Sequence, residues 1–523
     1  MQHATSKTFT YQTRLRLDTE QESTLKAYAE LTGHVERLLF ADMRRGKKVN
    51  ELKSLYIKRF KITARHFNSI RMQLEGKIDS IKKLRPLHMR ALEDRIKSLD
   101  AKIQKLEGKK SKAKELHQKK RRAFNLKKKH DRLQADEASG KVRLCFGSNR
   151  LFRAQFHLQE NHYSSFEQWQ QEWRKARSCS FFLVGSKDEA SGNQSCTATV
   201  AEDGSITLRL RLPDALKRGD AKYLLLPGLR FAYGHDVIVA TIQQHTQANG
   251  DASAISYRFK QDERGFQIFV STTYVAPVTI TRKECGVIGV DINADHLAVV
   301  ETDRFGNPLY SKVIRCTTYG KSHKQAKALI QDAVKEIVSL AVTAQKPIVL
   351  EKLDFQKKKA ELRETSPKFS RMLSSFTYSI VLEAIKSRSY RFGVQIEEVN
   401  PAYTSTIGQV AYASRYGLSI HTAAALAIGR RALRLSERLP RLANKVPNGK
   451  GGHVTLSLPV RNRDKHVWTL WRQVRKKLRV VPAAHLRAVK RSSSRRKPAC
   501  CDGVAPPDFV GANPTHEFVS RTA

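Results

Sequence analysis

The chain has no hydrophobic run near the length of a membrane-spanning helix, and no apolar segment of the signal-peptide kind follows Met1. A soluble, cytoplasmic protein is therefore expected. It also has no C-x-x-C. Its cysteines, Cys145, Cys179, Cys196, Cys285, Cys316, Cys500 and Cys501, are odd in number and mostly far apart, so neither a disulfide framework nor a zinc ribbon is supported, and no zinc is expected. Acid is the other shortage. Only 49 Asp+Glu stand against 96 Lys+Arg, and the formal charge of +47 is spread along the whole chain instead of being gathered in one tail. A field of that sign disfavours cationic ligands and favours a polyanion, nucleic acid first.

What is present is enough to fold: 523 residues with 40% hydrophobic content allow two or three domains, each with a core. Thr8–Leu17 alternates like a strand, and Glu20–Leu39 has helical spacing with Leu25, Ala29 and Val35 facing inward. Glu51–Leu133 is helical in pattern. Within it Met89, Leu92, Ile96, Leu99, Ile103 and Leu106 step by three and four after a helix start expected near Pro86, the seam of a helical hairpin. Its outer faces carry Lys119, Lys120, Arg121 and Arg122, and Lys127–Lys129, candidate contacts for nucleic-acid phosphate.

From Lys141 to Lys283 the period becomes two. Ile206, Leu208, Leu210 and Leu212 alternate with polar residues after an Asp203-Gly204 turn, and Tyr257 and Phe259 face Phe266 and Ile268 across a second turn. A strand at the N-terminus, inserted helices, and then more strands suggest one β-barrel interrupted by a helical module.

The stretch Gly286–Leu309 opens a second unit and sets its pattern. An apolar strand, Val287–Val290, ends in Asp291; a second apolar run, Leu297–Val300, and a polar turn lead to a third strand near Leu309. Helix Gln325–Ala344 precedes the short strand Pro347–Leu350, which ends in Glu351. A charged loop, a helix (Pro367–Phe392), a strand (Val394–Val399) and a helix from Ser419 to Leu435 complete the unit. This order is that of an RNase H-like α/β fold. It would bring Asp291 and Glu351 to the ends of adjacent parallel strands, where paired carboxylates can hold divalent cations for phosphodiester cleavage; hard oxygen ligands suit Mg²⁺. Beyond Pro440 the chain reads as basic and irregular, apart from an apolar helix face in His466–Leu478.

Asp291–Leu309, the block Pro347–Lys359 and the block Glu398–Leu433 resemble the three RuvC motifs of the OrfB/TnpB proteins of insertion sequences, relatives of type V CRISPR effectors. The resemblance implies an α+β multidomain protein: a wedge-like β-barrel, the RuvC domain, and a basic, partly disordered C-terminal tail. Its expected divisions are 1–50 (first part of the β-domain and first helix), 51–138 (helical module), 139–284 (β-domain), 285–440 (RuvC) and 441–523 (extension, largely disordered after 490). The implied activity is RNA-guided DNA cleavage at a Mg²⁺-dependent site in a prokaryotic cell, with guide RNA and target DNA as partners and sequence read by base pairing.

Two departures qualify it. Thr404–Gly417 runs into the next helix with no cysteine, where the family has a zinc ribbon, and the third motif sets His421 where the family has Asp. Three readings stay open: His421 serves directly as ligand or base, Glu398 supplies the missing carboxylate, or the site is inactive and the protein binds DNA without cutting. Lys357, Lys358 and Lys359 on the rim after Glu351, and Arg430 on the last helix, are further candidates for phosphate contacts.

Overall fold

The computed structural model describes residues 6–108, 112–217, 219, 221–246, 253–352, 378–439, 445–447, 453–462 and 464–478. The N-terminal strand β1 (Ser6–Arg14) leads into helices α1 (Thr19–Arg44), α2 (Val49–Phe60), α3 (Ala64–Leu106), α4 (Ala113–Ala138), α5 (Asn149–Ala154) and α6 (Phe166–Arg177). Next along the chain are strands β2 (Ser180–Leu183), β3 (Cys196–Val200), β4 (Ile206–Arg211) and β5 (Tyr223–Leu229), helix α7 (His235–Thr246), and strands β6 (Ser256–Asp262) and β7 (Gly265–Val275).

The long helical insertion leaves β1 free to return to β7, with Tyr11 opposite Val270. Among the described residues these strands form a four-stranded sheet, β1-β7-β6-β2, and a three-stranded sheet, β3-β4-β5, and pairing does not close between them. The closed barrel expected from the strand pattern is thus corrected to two open sheets. They share one core, in which Leu208 and Leu210 of one sheet meet Phe259 and Ile268 of the other under Leu25 and Tyr28 of α1. Both expected hairpins form, with Phe259 facing Ile268 and Ala198 facing Leu208.

Helix α3 does not begin near Pro86. It starts at Thr63, where a capping box with His66 satisfies the first free amides, and runs through Pro86 to Leu106. The tertiary contacts of a 43-residue helix outweigh the one backbone hydrogen bond that proline removes. Leu99 and Ile103 pack against Ala123 of α4, so α3 and α4 do form the expected hairpin. Farther back, Lys77 grips the buried Glu36 of α1 at 2.6 and 2.8 Å.

After β7 come β8 (Ile288–Ile292), β9 (His296–Thr302), β10 (Pro308–Arg315), α8 (His323–Ala344), β11 (Ile348–Glu351), α9 (Tyr378–Arg391) and β12 (Ile396–Val399). The sheet order is β10-β9-β8-β11-β12; β8, β9 and β10 are antiparallel neighbours, and β11 runs parallel to both β8 and β12. This is the RNase H-like arrangement. Parallel strands buried on both faces read as continuous apolar runs, and here Ile288, Val290, Ile348 and Leu350 lie under α8 and α9. The opposite faces of the same strands meet the helical run 404–416, made of α10 (Thr404–Ile407), a π-helical turn (Gly408–Ala413) and α11 (Ser414–Tyr416), and then α12 (Ile420–Ala432).

The chain beyond Pro440 is less irregular than its composition suggested. Strands β13 (Lys445–Pro447) and β14 (His453–Thr455) pair, and Val446, Leu456, Trp471 and Val474 join the core beneath α12. Residues 467–478 are helical, as the apolar spacing indicated. The stretch after 490, expected to be largely disordered, lies outside the described residues. Among the described residues no helix is long and apolar enough to cross a membrane.

His66 supplies a test of the junction between α3 and the three-stranded sheet. It is buried against the Arg211 carbonyl, 3.3 Å away, and burial pushes its pKa down to about 4 from an ordinary 6.5. Its stabilising contribution is complete above the unfolded-state value and is lost as pH falls from about 6.5 through about 4, because there the unfolded chain binds the proton more readily; the linkage is on the order of 3 kcal/mol. Thermal melts across this window should show a smaller drop for His66→Gln, which can keep the capping box without the titration, than for the parent. Equal drops would remove His66 as a source of the acid sensitivity.

Candidate functional site

Asp291 and Glu351 owe their placement to strand register. Ile348 pairs with Ile288 and Val349 with Gly289 in the parallel ladder, so Glu351 and Asp291 stand equally far along their strands and, by the alternation of a strand, on the same face. That face is the one under α12, since Val349 of β11 packs with Ile428 and Ala432.

Helix α12 comes unusually close to β8. A Cβ added to Gly289 would lie 2.0 Å from the Ala425 carbonyl oxygen and 2.9 Å from the Gly429 amide nitrogen, and one added to Gly429 would meet the Val287 side chain at 3.1 Å. Helix and strand run in opposite senses: Gly429 lies over Val287, Ala425 over Gly289, and His421 over Asp291. Four helical residues advance about 6 Å and two strand residues about 6.6 Å. The steps match, so the contact that begins at glycine ends at the site. His421 Nδ1 is 3.6 Å from the Asp291 carboxylate, in ion-pair range. On the far side, Gly408 of the π-helical turn admits the backbone of Ala423, to which a Cβ there would come within 2.5 Å.

Smaller contacts fix each group. Asn293 donates to Asp291 Oδ2 at 2.9 Å, and the Thr404 hydroxyl donates to Glu351. Thr404 follows Tyr403, whose φ of +63° is a left-handed conformation that bulky residues rarely adopt. The His296 ring lies edge-on to His421, 4.5 Å between centroids, and its Nδ1 meets Asp295 at 2.7 Å. The Asp291 carboxylate, by contact and by charge, holds the His421 imidazole above its ordinary pKa against the burial that lowers it, with Asp295 adding to the pull. The Tyr378 phenol is pushed up by burial first and then by the charges of Asp291, Glu351 and Asp295. Among the described residues no three His, Cys, Asp or Glu side chains converge closely enough to form a metal cage by themselves.

Asp291 and His421 are therefore brought together, with Glu351 on the same face. Glu398 is not. It pairs with Leu350 in register, on the face covered by α8 and α9, and Lys386 of α9 binds its carboxylate at 2.5 Å. Rescue of the third position from Glu398 is corrected for that reason: strand alternation turns it away. Arg430 is likewise engaged within the fold, donating to the Gly306 carbonyl at 2.6 Å and lying over the Tyr412 ring. Lys357, Lys358 and Lys359 lie outside the described residues. On α4, Lys120 pairs with Glu107 at 3.0 Å, while Arg121 and Arg122 line a shallow basic depression of about 450 Å³ with Arg95 and Lys129; Lys119 is half-buried beside them.

Asn293, His296, Tyr378 and Thr404 did not stand out in the sequence. Only Asn293 left a signal there, because in Asp291-Ile292-Asn293 strand alternation puts the first and third side chains on one face.

No protein-family model matches the chain, and no curated protein matches it. Among solved structures it is similar to the protein of a Cas12f1–sgRNA–target DNA complex, at 13% identity and a TM-score of 0.35 over 81% of this chain and 98% of that one. It is also similar to T. thermophilus RuvC in complex with a Holliday junction substrate, at 16% identity and 0.20 over 27% of this chain and 88% of that one. A CRISPR-Cas12f ternary complex matches at 12% identity and 0.19, over 81% and 98%. Likenesses this distant say nothing of this chain's chemistry, which has to be read from its own side chains.

The glycine contact gives a direct test. Gly289→Ala drives a methyl into helix backbone and should cost at least about 1–3 kcal/mol, seen as a lower urea midpoint. Gly76→Ala, in an open helical position of α3 with nothing within 4 Å, should be neutral or stabilise by up to about 1 kcal/mol. Equal midpoints for the two variants would refute the close approach.

Proposed function

We propose that this chain is an RNA-guided DNA endonuclease of transposon origin, of the OrfB/TnpB kind, cutting at a divalent-cation-dependent RuvC site formed by Asp291, Glu351 and His421. The observation that carries the reading is the in-register pair of acids on one face of an RNase H-like sheet, roofed by a helix that presents His421. A folding scaffold has no need of two carboxylates at neighbouring strand ends. The charge of +47 supports a polyanionic partner, and the motif resemblance specifies guide RNA and target DNA.

The donor set fits Mg²⁺, which is commonly held by one or two carboxylates with waters and substrate phosphates completing its shell. Asp291 and Glu351 would hold it. When bound, such an ion polarises a phosphoryl oxygen and lowers the pKa of a coordinated water. The chain's own groups do the positioning: Asn293 and Thr404 fix the two carboxylates, and His421, half-exposed beside Asp291, is placed to exchange a proton with water or with the leaving oxygen. Half-buried Tyr378, at the start of α9, lies within the field of both acids.

A second reading has its own support. When protonated, the His421 imidazole pairs with Asp291 and offsets one of the two acidic charges, which favours an RNA-guided DNA-binding protein that does not cut.

The experiment is to purify the chain with co-expressed RNA, sequence that RNA, and incubate the complex with matched duplex DNA and Mg²⁺. Guide-dependent cleavage by the parent, reduced at least 100-fold by Asp291→Ala and by Glu351→Ala, is expected. Guide-dependent binding with no cleavage by the parent would establish the second reading, and no enriched RNA would defeat both.

A further inference from the structure

Helices α3, α4 and α5 enclose a cleft of about 720 Å³ that lies apart from the acid pair. The charged groups of its floor are held by partners within the fold. Arg143 holds the buried Asp136 carboxylate through two contacts, at 2.6 and 2.9 Å, and buried Arg85 donates to the Asp136 and Lys141 carbonyls. Its rim carries exposed Lys129, Arg132, Arg150 and Arg153, against one exposed acid, Glu160. The balance at the mouth is cationic.

Beside this cleft runs a row of aromatic rings. Phe156 touches Phe152 edge-on at 6.3 Å between centroids, Phe152 touches Trp173 at 5.7 Å, Trp173 stacks on Trp169 at 6.0 Å, and Trp169 meets Phe166 at 5.1 Å. Trp169 is buried and anchored by its indole N–H to the Leu151 carbonyl at 2.8 Å. The outer rings are open: Phe156 is 69%, Phe166 46% and Phe152 44% exposed. Leaving three phenylalanines in water is costly unless something covers them. Arg150 and Arg153 stand three residues apart on α5, and Phe152 on the same helix meets Phe156 in the turn that follows it, so a charged edge and an aromatic edge lie on one short segment.

We propose that this cleft and ledge form a binding site for unpaired nucleotides of an RNA or DNA strand, the Lys129, Arg132, Arg150 and Arg153 side chains taking its phosphates and the Phe152–Phe156 ledge stacking its bases. The juxtaposition decides the ligand: cations alone suit any polyanion, and rings alone suit any apolar partner. Together they match a single strand, the form of nucleic acid that offers phosphates and open base faces at once. The site stands independently of cleavage at Asp291.

The test uses the full chain, freed of nucleic acid in high salt and assayed in EDTA so that no metal-dependent cutting intervenes. Fluorescence anisotropy would follow binding of labelled 12-nucleotide RNA and DNA strands and of a blunt duplex of the same sequence. Phe152→Ala/Phe156→Ala should weaken strand binding about tenfold or more, from about 1–3 kcal/mol per lost stack, with the salt slope and duplex binding unchanged. Arg150→Gln/Arg153→Gln should weaken both ligands and lower the strand salt slope by about 1.4, the value for two phosphate contacts. Both variants change exposed side chains, and unchanged melting temperatures would show that they fold. Parent-like strand binding by the phenylalanine variant would overturn the proposal. So would an equal loss on the duplex, or a drop from dimer to monomer in sedimentation, which would make the ledge a contact between copies of this chain.

Discussion

The closeness of α12 to β8 is the constraint on which the site depends. Two glycines and a row of alanines let helix backbone rest against strand backbone, and because four helical residues advance nearly as far as two strand residues, the contact carries without slippage from Gly429 over Val287 to His421 over Asp291. The buried face of α12 is accordingly almost all small or aliphatic, Ala423, Ala424, Ala425, Ala427, Ile428 and Gly429. Its polar end is where the helix meets the acids. Packing and chemistry are joined at this point, since a wider gap at Gly289 would also draw His421 away from Asp291.

The surplus of positive charge is divided between two uses. Some cations are internal struts: Lys346 ties Glu301 and the Thr302 carbonyl beside the central sheet, Lys77 holds Glu36, and Arg85 closes the end of the helical hairpin. A buried cation persists only with such partners. Others, such as Arg121, Arg122, Arg150 and Arg153, stand exposed on helices, where they add to the field that would gather a nucleic acid.

Much of the sheet was legible in the sequence because central strands buried on both faces are uninterrupted apolar runs, as in Val287–Val290 and Leu297–Val300, and hairpins alternate, as around Phe259 and Phe266. Asp291 and Glu351 stood out as charges ending such runs. Other features depend on tertiary contacts that no local pattern encodes. Pro86 looked like a helix start because propensity is local, whereas the long helix around it is held by α1 and α4. Glu398 was ambiguous until strand register fixed its face, and Arg430 until its carbonyl partner was visible. The β-domain looked like a barrel because alternation reports strands and not whether the outermost ones meet. Thr404 and Tyr378 come to the acids from distant segments, and Trp471 and Val474 showed an apolar face without showing what it would cover.

The proposed cation site takes Asp291 and Glu351, which register sets on one face under α12, and leaves out Glu398, which register sets on the other. Titration of the RNA-free chain with Mn²⁺, an octahedral stand-in for Mg²⁺ that electron paramagnetic resonance can count when free, tests this without any cleavage. A tight binding class present in the parent and in Glu398→Gln, and lost in both Asp291→Asn and Glu351→Gln, is the predicted result. Loss in Glu398→Gln, or retention in Asp291→Asn, would contradict it.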